Sequence, residues 1–269
     1  MAKSQIIRDL ISGKIELAQA LERVLVIAME INDTDTIKWV KCEKNGYGKS
    51  DVVPEYRIIS LVPMGSFQIV SMGYLHSYSN QPLATIGVPD DLKESYRNHK
   101  VGQGVPQLIE QHKALEKDSS LKCGISIPPE FYHYFEVGTN VQVTNAFLYY
   151  SQEALGGIVD AVRTRTIELL VLLEKNFGVL DDLDIDLDDY KSDEIKRLQE
   201  ACSVVIKGDN NGDTYIITDS KVKKSNIGKG NSANRESEVE ISPEFNVEKE
   251  KGKSIWRKIV GFFGGKSNG

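Results

Sequence analysis

The stretch that most constrains this chain is residues 151–177, where Leu155, Ile158, Val159, Val162, Leu169, Leu170 and Leu173 recur at three- and four-residue spacing and draw a broad apolar stripe along one helix. Ser151 stands at its start as a cap, and Gly178 supplies the stop. A helix this long with so wide an apolar face needs other elements laid along it, so it is expected to be the spine of the domain. Glu168 and Glu174 interrupt its apolar run, and no apolar stretch reaches the roughly 20 residues that cross a bilayer.

The partners for that stripe come first in the chain. Ile6, Ile7, Leu10 and Ile11, then Leu17, Ala20, Leu21 and Val24, repeat with helical spacing on either side of Ser12 and Gly13. Asp33 or Thr34 is placed to cap a third helix carrying Ile37, Trp39 and Val40, and Asn45-Gly46 closes it. Residues 57–150 read as short strands and loops around one charged helix at 106–117, with a strand-like run at 67–75 broken by Gly73. The expected fold class is α+β: a helical N-terminal segment and the long C-terminal helix around a small mixed sheet.

Residues 1–180 are expected to form that domain. An acidic connector with a short helix follows at 181–202, the helix itself over 192–201. Next come a polar β-prone segment at 203–232, carrying Val204, Val205, Ile206 and the run TYIIT, a flexible linker at 233–252 and a basic amphipathic helix at 253–264.

Charge and cysteines exclude several classes. The net charge is −6 and the pI near 5.4, so the whole molecule has no basic field to draw in nucleic acid. Cys42, Cys123 and Cys202 are scattered, which argues against a disulfide framework or a zinc site. Lys3, Arg8, Asp9, Lys14 and Glu16 mixed into the opening residues exclude a secretory leader there, so the expected location is cytoplasmic, peripheral at the inner membrane if the tail meets lipid. Asp182, Asp184 and Asp186 copy part of a calcium loop, but Leu187 replaces its glycine and Asp193 its final glutamate, so no metal is expected. Gly102 and Gly104 precede no Gly-Lys-Ser/Thr, and no cofactor is expected either. His76, His99, His112 and His133 carry no ligand spacing.

Trp39, Glu43-Lys-Asn-Gly-Tyr47 and Pro54-Glu-Tyr-Arg57, followed by Ile158-Val-Asp-Ala-Val-Arg-Thr-Arg165 and Leu172-Leu-Glu174 on the long helix, together resemble the AbiTii domain. That domain is named for a lactococcal abortive-infection system that acts against bacteriophage. The resemblance covers about residues 4–180, with Lys44 standing where the family usually has leucine. It implies phage defence and carries over no catalytic set.

Two readings of function follow. In one, Glu55, Arg57, Asp160, Arg163 and Glu174 gather into a cleft that acts on nucleic acid or a nucleotide. Against it, Arg57 can anchor a loop by a bidentate pair to a carboxylate, and Asp160, Arg163 and Glu174 can hold the long helix to its neighbours. In the other reading the protein is a non-enzymatic effector. Lys251, Lys253, Arg257, Lys258 and Lys266 put five positive charges and no acid on the last nineteen residues, while Ile255, Trp256, Ile259, Val260 and Phe263 share one helical face with Phe262 beside it. Such a helix, led by Ile255, Trp256, Arg257, Lys258, Ile259, Phe262 and Phe263, suits an inner-membrane surface or a groove on a protein partner. Residues 203–232 are the candidate for self-association, since a two-strand unit alone is marginal in water.

Overall fold

The computed structural model describes residues 3–118, 123–181, 187 and 190–208, all within one compact unit. Asp182, Asp184 and Asp186 of the acidic run lie outside the described residues, as do most of the expected β-prone segment, the linker and the amphipathic tail.

Three helices open the chain: α1 (Gln5–Ile11), α2 (Leu17–Glu30) and α3 (Thr34–Asn45). Asp33 caps α3, accepting the Thr36 N–H at 3.1 Å and the Thr36 hydroxyl at 2.6 Å. Two short helices, α4 (Asp90–Arg97) and α6 (His133–Glu136), and the longer α5 (Val105–Lys117) lie between strands, and α7 (Gln152–Phe177) and α8 (Ser192–Lys207) close the described chain. The Ser151 hydroxyl accepts the Ala154 N–H at 3.1 Å, and α7 ends at Gly178, both as the sequence leads one to expect.

Helix α7 packs against α1, α2, α5 and α8. Its Val162, Leu169, Leu170 and Leu173 share one core with Leu10, Leu21, Val24 and Val40. Each fully buried leucine contributes about 1.5–3 kcal/mol, against a few tenths for an exposed ion pair, so the stripe rather than surface charge holds α7 in place.

Helix α8 differs from expectation. It does not stop at 201 but runs through Val204, Val205 and Ile206 to Lys207, ending at Gly208. Leu198, Cys202 and Ile206, four residues apart, are buried in the same core as α7. Burying that stripe outweighs the few tenths of a kcal/mol by which β-branched residues disfavour helix.

The strands form two sheets. β1 (Ile58–Ile59) pairs with β4 (His99–Lys100), while β2 (Val62–Ser71), β3 (Tyr74–Pro82), β5 (Gly124–Ser126) and β6 (Val141–Tyr149) lie in the order β3-β2-β6-β5. Every pairing is antiparallel, so neither sheet is mixed. The inner face buries Gly65, Ala146, Val143 and Leu148. Registers shift at Ser66 in both pairings of β2, and the Thr144 hydroxyl donates to the Ser66 carbonyl at 3.0 Å across that irregularity. Beyond it β2 and β3 continue as a hairpin. The strand expected to break at Gly73 in fact turns there: Met72 and Gly73 take φ of +51° and +79°, the signature of a two-residue type I′ turn.

Candidate functional site

The residues of the two motifs come together at the end of α3. Glu43 lies on its last turn, Gly46 ends it at φ +95°, and Tyr47 then donates its backbone N–H to the Gly102 carbonyl at 2.7 Å. A Cβ on Gly46 would lie 2.6 Å from that same carbonyl, so glycine is required both by backbone angle and by space. Pro54 opens a single 3-10 turn, Glu55–Arg57, whose last residue points inward. The Arg57 carbonyl accepts the Val101 N–H at 2.9 Å, fixing this turn to the strand pair β1–β4.

At the centre is a buried ion pair. Glu43 and Arg57 are both 0% exposed. One Glu43 oxygen, Oε1, accepts the Tyr47 hydroxyl at 2.6 Å, the Tyr56 hydroxyl at 2.6 Å and Arg57 Nε at 3.1 Å. Its Oε2 accepts Arg57 Nη2, which makes the pair bidentate. Arg57 Nη1 donates to the carbonyls of Val101 at 3.2 Å and Gln103 at 2.8 Å. Trp39 Nε1 donates to the Tyr56 hydroxyl at 2.9 Å. The Arg57 guanidinium lies 4.9 Å from the Tyr47 ring centroid, and that of Arg165 on α7 lies 4.2 Å from the Tyr56 ring.

This arrangement holds its protons. Burial, then the Glu43 carboxylate beside them, push both tyrosine hydroxyls well above their usual range, so they remain donors. Burial works against the Arg57 charge, but the hydrogen bonds and charge of Glu43 more than offset it and raise its pKa. The cluster therefore clamps α3, the 3-10 turn and the 101–104 loop together, and its acid and base present nothing to a ligand. Removing one member of such a pair strands the other, at about 3–5 kcal/mol.

The other predicted residues go elsewhere. Glu55 and Asp160 are exposed. Arg163 Nη2 donates to the Leu10 carbonyl at 2.5 Å, holding α1 to α7. Arg165, on the same helix, donates its Nε to the Ile206 carbonyl at 3.2 Å and so reaches α8. Glu174 accepts Lys3 Nζ at 2.7 Å, the Ser4 hydroxyl at 2.6 Å and the Ser4 N–H, and the Ser4 hydroxyl accepts Leu180 N–H at 2.9 Å. Partial burial raises the Glu174 pKa, but these donors outweigh it and bring the carboxyl down to about 2. Arg57, Arg163 and Glu174 thus have three separate sets of partners rather than one shared cleft. Glu43 and Tyr47 are the residues that a reading of single charges misses. Their four-residue spacing at a helix end, next to an Arg in need of a carboxylate, is the signal that points to them.

An open polar groove of about 280 Å³ lies at the start of α3, lined in part by Asn32, Asp35, Lys196, Gln199 and Ser203, and includes none of the five predicted residues. Beside it, burial and the Asp33 carboxylate push the Cys202 thiol up to about 12, so it is inert. At the sheet, Tyr150 and His99 share a 2.9 Å hydrogen bond, and burial lowers the His99 pKa. Among the described residues no group of His, Cys, Asp and Glu could hold a metal ion, and no helix is long and apolar enough to cross a membrane.

The AbiTii family model matches residues 4–197. No curated protein and no solved structure matches the chain.

Proposed function

The chain belongs to the AbiTii family, and from that premise we propose that it is an abortive-infection protein that defends against bacteriophage as a non-enzymatic effector, its tail docking on the inner-membrane surface or on a protein partner. The observation that carries this reading is the segregated charge of the tail: five basic residues and no acid from Lys251 onward in a chain of net charge −6. Each Lys or Arg close to an anionic leaflet adds on the order of 1 kcal/mol, and Trp256 and Phe263 supply rings that suit headgroup depth. One such short helix binds weakly; several copies held together bind far better. The closed Glu43–Arg57 cluster supports the non-enzymatic half of the reading, because the family motif is spent on architecture.

The test compares phage plaquing and host viability for the full chain and for a version ending at Glu250, each expressed alone. Loss of protection by a truncated protein that still folds is the expected result; equal protection overturns the tail as effector arm. Co-sedimentation of the full chain with vesicles containing anionic lipid then separates a membrane surface from a protein partner.

A further inference from the structure

From Ile58 to Pro89 the chain contains no Asp, Glu, Lys or Arg, although 27% of its residues are charged. That stretch holds β2, its turn and β3. Every residue of β3 is exposed, and β3 ends the sheet, its second side paired with no strand among the described residues. Val70, Met72, Tyr74 and Leu75 leave an apolar tip in solvent. Met72 is 96% exposed and stands at φ +51°, a turn position that asparagine fits and where most L-residues cost about 1–2 kcal/mol. Both its exposure and its backbone angle count against stability, which points to a use for the tip outside the fold.

The register says which backbone groups are open. With a two-residue loop, Ser71 and Tyr74 form the first hydrogen-bonded pair, so Tyr74, His76 and Tyr78 direct their backbone groups to β2, while Leu75 and Ser77 turn theirs outward. Natural edge strands are commonly blocked by lysine, proline or a bulge. Here the irregularity at Ser79 and Asn80 (φ +54°) and Pro82 sit at the far end, and residues 74–78 carry none of these.

We propose that this edge is a self-association surface: two copies of the chain pair residues 74–78 antiparallel about a two-fold axis, joining two four-stranded sheets into one. Three observations select a second copy as the occupant. An antiparallel strand is its own complement about a two-fold axis, so each copy satisfies the outward groups of Leu75 and Ser77 on the other. Two chains of net charge −6 repel, and the stretch from Ile58 to Pro89 is where they approach with no formal Asp, Glu, Lys or Arg charge on either side. Lipid fits poorly, because unpaired backbone groups entering hydrocarbon cost several kcal/mol each and the stretch has no Lys or Arg to meet an anionic headgroup. This places self-association at the sheet edge instead of at residues 203–232, and it does not depend on what the tail binds.

The test is sedimentation velocity of the full chain over a concentration series, with the variant Leu75→Lys/Ser77→Lys and the variant Leu75→Glu/Ser77→Glu alongside. Both positions are exposed, so melting temperature checks that the fold is kept. The expected result is a wild-type dimer, a dissociation constant raised about tenfold or more in each variant by like charges facing across the axis, and recovery of association when the two variants are mixed. A wild-type chain that stays monomeric overturns the proposal, as does a dimer undiminished in both variants. Vesicle binding by a monomeric wild type that the variants lose overturns it in favour of a lipid surface.

Discussion

Tyr47 and Tyr56 lie inside the domain with both hydroxyls on a single oxygen of Glu43, whereas Tyr74 and Tyr78, later in the same chain, stand in solvent on a strand without a formal charge. The first pair belongs to a cluster in which a buried acid and a buried base are matched and the local backbone is tied down by carbonyl and amide contacts. The second pair belongs to a hairpin whose outer edge is open. In this contrast the charged pair is the closed element, and the charge-free tip of the hairpin is the open one. Sequence habit suggests the reverse.

The strongest attempt to break that contrast is Glu43→Ala. It leaves Arg57 buried without its partner and should lower stability by about 3–5 kcal/mol in urea unfolding of the full chain, while Leu75→Lys/Ser77→Lys, at a dilution where both proteins are monomeric, changes it by no more than about 0.5 kcal/mol. Equal losses would mean the hairpin is as integral as the cluster. A finer probe sets two glycines against each other. A Cβ at Gly104 would sit 2.4 Å from the Lys44 carbonyl, and Gly104→Ala should cost about 1–3 kcal/mol through that clash. Gly73 has open space but φ +79°, so Gly73→Ala should cost about 1–2 kcal/mol through backbone angle alone.

Glu174 gives the acid response. Its folded-state pKa, about 2, lies below the ordinary 4.5, so its contribution is present above 4.5 and lost as pH falls toward 2. Ser4→Ala removes a hydroxyl donor and should move the acid unfolding midpoint, followed by circular dichroism, to higher pH. The smallest effect has the opposite sign: Met72→Asn relieves the turn and should raise stability by up to about 1 kcal/mol, read as a higher melting temperature.

How much of this was legible beforehand follows from where the partners lie in the chain. Helix α7 could be read because its cap, stripe and stop are all local: Ser151, Leu155 to Leu173 and Gly178. The third helix was legible through Asp33 in the same way. Arg57 could be recognised as a residue suited to a carboxylate, but its acceptors come from Glu43, Val101 and Gln103, which only the fold brings beside it. The last turn of α8 is not legible because Val204, Val205 and Ile206 favour strand when taken alone, and the core that claims Ile206 is made by α7 and the N-terminal helices. The hairpin looks like one interrupted strand in the sequence because its turn is Met-Gly, without the Asn-Gly that announces a type I′ turn. Helix α4 escaped because its one buried residue, Tyr96, leaves no stripe to detect.

The Ser4–Glu174 contact has a consequence for how the protein is made. Its two halves are 170 residues apart, and Gln5 donates its backbone N–H to Asp181 over a similar separation. During synthesis α1 therefore has no completed seat until the far end of α7 has also emerged. At about 5–20 residues per second that is roughly 10–35 s of synthesis. During that interval Ile7 and Leu10 lack the α7 side of the core that buries them, so a chain stalled before residue 174 leaves α1 open to chaperones and proteases.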